Sequence, residues 1–372
     1  MKKRLLLTGV IAIAMLVAVL ALDRTRRGAP STREAFAGDA TRLMRTVVVP
    51  TLETEIPPGK SALWCASLAL AWRELEDGVA KGPVSVPGAE SLVRQLEADA
   101  ASVRSDVPAE TFYAAGGWAK EGIADVIRRS VVQKFPGAPP PDFDTRAVAI
   151  AFARVEANVR FALPYFESRK AVVWKDSSGK ATRLSSFGLR PEDESSFYEL
   201  RKQCAVLYER DEAYELVEFA VDLDQGSNPT QVIVARIPRA DSLAETIAQL
   251  ESKIAAQTPK SAAGSHHPRK LGSSGVLLVP NMCFEIEHHL AELENKPSPL
   301  GGFVGSLKVL QSIRFRLDRN GAELASEARI EYQSMGDDFV VDGPFLVLMR
   351  KRGCSRPFFA VWVDNAELLS PF

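Results

Sequence analysis

Apolar residues recur at helical spacing in roughly the first third of this 372-residue chain and at alternate positions over most of the rest, the period changing around Pro136–Pro141. A chain patterned this way must pack a layer of helices against sheets. The run LWCASLALAWRELEDGV, Leu63 to Val79, is apolar around most of a helical circumference and predicts a buried helix ending near Gly78. Leu92, Val93, Leu96 and Ala100 predict a second helix over Glu90 to Val103, and Ile123, Val126, Ile127 and Val131 a third over Ala119 to Phe135, stopping before Pro136-Gly137. Pro139-Pro-Pro141 then enforces an extended connection.

Beyond it, Ala153, Val155, Ala157, Val159 and Phe161 alternate with Arg154, Glu156, Asn158 and Arg160. This predicts a long strand within Ala147 to Phe161, with a helix as the alternative. Ala171 to Lys175 and Thr182 to Leu184 flank Asp176-Ser-Ser-Gly179 and read as a hairpin. Further strands are expected over 203–208, 215–221, 230–237, 275–279, 282–286, 312–317, 345–349 and 358–363, a helix over 243–254, and a surface loop over Thr258 to Gly275. Helices first and strands afterwards predict an α+β fold with large, mainly antiparallel sheets. The strand–helix alternation of a parallel nucleotide-binding fold and its phosphate-binding glycine motif are both missing, which excludes dehydrogenases and P-loop enzymes.

The chain carries 46 lysines and arginines against 47 aspartates and glutamates, a net charge of −1, so it has no overall field with which to hold nucleic acid. Met1-Lys-Lys-Arg4 precedes the mostly apolar run Leu5 to Leu22, which at 1.5 Å per residue covers about 27 Å, nearly a bilayer core. Residues 1–22 are therefore expected to be a signal peptide or a single transmembrane anchor, 23–38 a linker, and 39–372 one domain outside the cytoplasm, whether secreted, periplasmic or tethered. Basic residues on both sides of the run leave its orientation unspecified.

Cys65, Cys204, Cys283 and Cys354 lie far apart with no C-x-x-C pair, which argues against structural zinc; they read as small buried residues, with one disulfide open to them outside the cytosol. His266-His267 and His288-His289 lie near Cys283, Glu285 and Glu287 but lack ligand spacing. The first pair is expected in the loop and the second at the start of a helix, and neither a metal nor any other cofactor is expected. An enzymatic alternative places Cys65 near a helix N-terminus as the nucleophile of a cysteine hydrolase, with His288 or His289 and an asparagine.

The closing stretch is the most specific. Leu317-Asp-Arg-Asn-Gly-Ala-Glu-Leu-Ala-Ser-Glu-Ala328 is a strand end running into a small-residue hinge, followed by a polar loop and two apolar strands, Asp342-Gly-Pro-Phe-Leu-Val-Leu-Met349 and Pro357-Phe-Phe-Ala-Val-Trp-Val363. Before it come, in order, Trp174-Lys-Asp to Gly179, Tyr208-Glu-Arg-Asp211, Glu215-Leu-Val-Glu-Phe219, Val232-Ile-Val-Ala-Arg-Ile-Pro238, Val279-Pro-Asn-Met-Cys-Phe-Glu285, Leu290-Ala-Glu-Leu293 and Gly301-Gly-Phe303. Over residues 60–372 this order and spacing resemble the serpins.

The resemblance implies one monomeric, non-enzymatic domain that binds a serine protease through a loop over Gly321 to Gly343. Gly321, Ala322, Glu323, Leu324, Ala325, Ser326, Glu327 and Ala328 would form the hinge, and Met335–Gly336 the reactive bond, suited to a chymotrypsin-like or elastase-like pocket. In the family, cleavage of the loop lets the hinge enter the central sheet as a new strand and distorts the trapped protease. Ala322, Leu324, Ser326, Ala328 and Ile330 would face inward without charge, while Glu323, Ala325, Glu327, Arg329 and Glu331 would face outward; an ordinary amphipathic surface strand or helix has the same alternation. Three departures bear on activity. Asp142-Phe-Asp144 leaves no room for the helix that serpins lay across the main sheet, Gln311 stands where the family has a histidine, and Trp64-Cys-Ala-Ser67 replaces its F-S-P-x-S. The alternative is a non-inhibitory scaffold on the same fold, with a short loop open to pre-insertion.

Overall fold

The computed structural model describes residues 34–161, 166–193, 195–212, 215–224, 228–257, 270–272, 275–300, 302–321 and 338–372. Three strands come first, β1 (Phe36–Asp39), β2 (Thr46–Val48) and β3 (Ser61–Cys65). Helix α1 (Ser67–Glu74), extended by a π turn (Leu75–Ala80), α2 (Glu90–Asp106), β4 (Phe112–Trp118) and α3 (Ile123–Lys134) follow. Then come β5 (Ala149–Val155), β6 (Glu167–Lys175), β7 (Ala181–Leu189), α4 (Ser195–Gln203), β8 (Ala205–Glu212), β9 (Glu215–Asp222), β10 (Thr230–Arg236) and α5 (Leu243–Gln257). The chain closes with β11 (Val276–Pro280), β12 (Met282–His289), β13 (Pro297–Leu300), β14 (Phe303–Ser306), β15 (Leu310–Leu317), β16 (Asp338–Val340), β17 (Phe345–Lys351) and β18 (Pro357–Val363). The α+β class expected from the pattern is the class observed.

The largest sheet has seven strands in the order β2-β3-β18-β17-β10-β9-β8, all antiparallel except the β2–β3 pair. β17 and β18 are buried almost end to end, which is why they read as continuous apolar runs. A four-stranded sheet, β16-β11-β7-β6, packs into the same core, and the hairpin expected around Asp176–Gly179 is its β6–β7 pair. Three smaller sheets complete the fold, β1-β12-β15, β4-β5 and β13-β14.

Several expectations need correction. The helix expected over Leu63 to Val79 is divided: Ala62, Leu63 and Trp64 pair with Trp362, Val361 and Ala360 of β18, and α1 begins only at Ser67. A fully apolar run looks alike in a central strand and a buried helix. The long strand expected to reach Phe161 stops at Val155: the Glu156 amide still donates to Thr111 O, 2.7 Å away, but Thr111 ends a 3-10 turn, Ala109–Thr111, and the partner strand begins only at Phe112. His288-His289 end β12 instead of opening a helix, and Leu290–Leu293 form a turn closed by Leu293 N to Leu290 O at 3.0 Å. The packed domain also takes in residues assigned to the linker: β1 runs parallel to β12, and Ala35 N donates to Cys283 O at 2.7 Å. Most of the expected 258–275 loop, with His266 and His267, lies outside the described residues.

The helical layer is tied to the large sheet through a buried ion pair. Asp99 of α2 accepts from Arg356, in the turn between β17 and β18, and Asp106 lies 3.7 Å from the same guanidinium. Burial pushes the Asp99 carboxyl up to about 6, against the pull of Arg356. Folded Asp99 therefore keeps its proton to higher pH than the unfolded chain does, and its contribution to stability is present at low pH and lost as pH rises through about 4 to 6. From pH 7 to pH 5 the parent is expected to gain about 1 kcal/mol from this group, and Asp99→Asn to lose that slope. Half-buried His288 acts with the opposite sign, since its lowered pKa costs stability on acidification. Both proteins share it, so melting temperatures of parent and variant at the two pH values isolate Asp99.

Candidate functional site

Two strands end in unpaired edges that approach each other. β15 pairs with β12 on one side and β5 with β4 on one side, and no described strand pairs with the other edge of either. Alternation assigns their faces. Ile313, Phe315 and Leu317 of β15, and Ala153, Val155, Ala157, Val159 and Phe161 of the β5 stretch, join the main core. Ser312, Arg314 and Arg316 take the outer face, as do Ile150 and Phe152, which pack with α3 residues Ile127 and Val131, and Arg154, Glu156, Asn158 and Arg160. Among the described residues from Phe135 to Ala149 there is no helix, and α3 covers β4 and β5.

The edges meet at one end. Asp318-Arg-Asn-Gly321 makes a tight turn in which Asp318 and Gly321 exchange backbone hydrogen bonds of 2.9 and 3.1 Å. The Asn320 amide donates to Asp318 Oδ1 at 3.0 Å, the local interaction that makes Asp a turn residue. On the other side Phe161 N donates to Asn320 O at 3.0 Å, and Arg160 and Gly321 are antiparallel neighbours. Gly321 thus leaves the turn antiparallel to both strands. Its φ of +131° and the 2.2 Å that would separate a Cβ from Val159 O both require glycine. Asn228 Nδ2 donates to Arg160 O at 3.3 Å and also to Asp224, fastening this junction to the end of the large sheet.

Further down β15, Gln311 Nε2 donates to Cys65 O at 3.1 Å and Ser67 Oγ at 2.9 Å. Gln311 and Trp64–Ser67 stand out in the sequence as separate departures from the family pattern, yet they form one contact, which pins β15 to the start of α1.

The far end of the candidate loop is also held. β16 pairs with β11, Val341 N donates to Leu278 O at 3.0 Å, and Lys175 N to Asp342 O at 2.8 Å. The buried Trp174 Nε1 donates to Gly343 O at 2.6 Å. The loop expected to run to Gly343 therefore rejoins packed structure by Asp338. Of the expected site residues, Gly321 lies at the junction; Ala322, Glu323, Leu324, Ala325, Ser326, Glu327, Ala328, Met335 and Gly336 lie outside the described residues. Arg160, Asn228 and Ser67 were not singled out as site residues, because their contacts are made by partners distant in sequence.

The cysteine-hydrolase alternative gains no support. Cys65 stands two residues before α1, but burial pushes its thiol up, the reverse of what a nucleophile needs. Among the described contacts no hydrogen bond joins it to His288 or His289; His289 Nδ1 lies 3.1 Å from Glu294 Oε1. Among the described residues no group of three or more potential metal ligands is present, and no helix is long and apolar enough to cross a membrane. The four cysteines are free thiols.

These elements define an α+β protein of serpin-like fold. No family model and no curated protein matches the chain. Among solved structures it is similar to human thyroxine-binding globulin complexed with thyroxine (TM-score 0.49, 10% identity, 83% of this chain and 93% of that one). It is also similar to the thermophilic serpin tengpin in its native state (TM-score 0.45, 9% identity, 88% and 99%) and to native protease nexin-1 with heparin (TM-score 0.45, 11% identity, 80% and 89%). Likeness at this level concerns fold and says nothing of activity.

Proposed function

We propose that this chain is a serine-type endopeptidase inhibitor acting outside the cytoplasm, with residues 322–337 as its reactive segment. The observation that supports this best is the direction of Gly321, which leaves its turn antiparallel to two strands with unpaired edges. A strand continuing from it would complete both ladders. In the intact chain the segment is held at both ends, by the junction and by β16. Attack of a protease serine on the Met335 carbonyl breaks the Met335–Gly336 peptide bond, leaving an acyl ester on Met335 and a free amine on Gly336. The hinge side, still covalently joined to the protease, is then released from β16 and free to extend between β5 and β15.

Incubation with a chymotrypsin-like protease should give an SDS-resistant complex with the combined mass of both proteins, lost in Met335→Asp. Cleaved chain with no such complex would overturn the inhibitory reading. The second reading, a non-inhibitory scaffold, draws on the same junction: Gly321 already pairs on both sides in the uncut chain, so part of the segment could be resident in the sheet.

A further inference from the structure

We propose that an open cleft across one end of the large sheet binds a small amphipathic anion, an apolar body of two or three fused rings carrying one carboxylate, with Arg239 as the group that receives the charge. The cleft encloses about 590 Å³, within the range of small-molecule sites and far more than a bare inorganic anion fills. It lies where β10 and β18 end and β9 and β17 begin, between the turn before β3 and the turn of the β6–β7 hairpin. None of its lining residues belongs to β5, β15 or the Gly321 junction, so the site stands whether or not the chain inhibits a protease. Its apolar lining is stiff. Pro58, Pro238 and Pro344 have fixed φ, Val217 is the extra residue of a bulge in the β8–β9 ladder, and the buried Trp362 ring is held at Nε1 by Asp364 Oδ2 at 3.3 Å. Little ordering is then needed when a ligand arrives.

The polar lining decides the sign of the ligand's charge. Both acids of the cleft are buried and their oxygens are taken. Glu218 accepts from Arg210 at 2.7 and 3.0 Å, from Lys253 at 2.8 Å and from the Tyr208 hydroxyl at 3.1 Å. Asp364 accepts from Ser177 on one oxygen and from Trp362 on the other. Two of the three arginines are engaged as well, Arg210 by Glu218 and Glu212, and Arg236 by Asp342 at 2.9 Å. Arg239 differs. Its one described hydrogen bond runs from Nη1 to Ile56 O at 2.7 Å, and among the described residues it has no carboxylate partner. A guanidinium carries five N–H donors in a plane that matches a carboxylate edge, so most of those on Arg239 remain for a visitor. The acids thus offer no open oxygen to a cationic ligand, whereas Arg239 offers donors to an anionic one.

Titration calorimetry of the full chain with 2-naphthylacetate is the test, run beside its primary amide, which has the same rings without the charge, and beside sulfate, which has charge without an apolar body. The acid is expected to bind about tenfold or more tighter than either. Arg239→Ala should remove most of that advantage and leave the weaker binding of the amide unchanged. Because Arg239 also holds the Ile56 carbonyl, Val217→Asp serves as a second variant. It deletes no side-chain hydrogen bond, places a carboxylate beside the ligand, and should weaken the acid about tenfold while changing the amide little. Melting temperatures near the parent's establish that the variants are folded. Acid and amide binding alike, sulfate binding as tightly as the acid, no binding of the acid, or an acid affinity that survives both substitutions would each overturn the assignment.

Discussion

Cutting the chain between Ile330 and Asp337 with a protease is expected to raise its melting temperature by on the order of 10 °C, where a nick in an ordinary surface loop leaves it level or lowers it. Before the cut, the chain beyond the segment is fastened by β16 and by the bonds from Lys175 and Trp174 to Asp342 and Gly343. On the proposed function, the cut frees the segment to lie along both edges. Each new backbone hydrogen bond contributes about 1 kcal/mol net, and about 2–4 °C accompanies each kcal/mol in a domain of this size. Thermal melts of intact and nicked protein, with the nick mapped by mass spectrometry, make the measurement. An unchanged melting temperature would mean that the segment adds no strand on release, which is the scaffold's behaviour.

Valine at position 116 is expected to destabilise the protein by about 4 kcal/mol or more, because the clash is with backbone and not with a side chain that can turn away. A Cβ on Gly116 of β4 would lie 2.4 Å from Glu74 O, and one on Gly78 would lie 2.6 Å from Gly116 O. The strand thus rests directly on the last turn of α1 and on the π turn after it, with glycine on both sides of the contact. Any side chain at 116 lifts the β4–β5 pair off α1 and moves one wall of the gap. Gly82→Ala, where nothing lies within 4 Å of the added carbon, should be close to neutral. Urea denaturation of the three proteins would measure both effects, and a Gly116→Val variant as stable as the parent would show that the helix and sheet can separate without cost.

Much of the architecture could be read from hydrophobic period alone, and the failures have a common cause. Helix α2, the β6–β7 hairpin and strands β9, β10, β17 and β18 stood where the pattern put them, because each buries a face set by its own residues. Strands of three or four residues, such as β1, β2 and β16, carry too few alternations to register; they exist because a distant strand is there to pair with. The Ser61–Cys65 strand was hidden by its own apolarity. At the junction, the sequence reads as a strand end running straight into a hinge, whereas Asp318, Asn320 and Gly321 close a tight turn. Gln311 was conspicuous but not its partner, since Ser67 lies 244 positions away.

The parallel seating of β1 on β12 fixes where anything ahead of the domain must depart. Phe36 sits beside Phe284, which in turn faces Phe315 near the end of β15 that leads into Gly321. The exit at Ala35 is therefore at the junction end of that three-stranded sheet, two strand spacings, about 10 Å, to the side. On the proposed function, a leash fastened there would hold the Gly321 junction toward whatever the leash is attached to, and its length would govern how large a visitor can reach it.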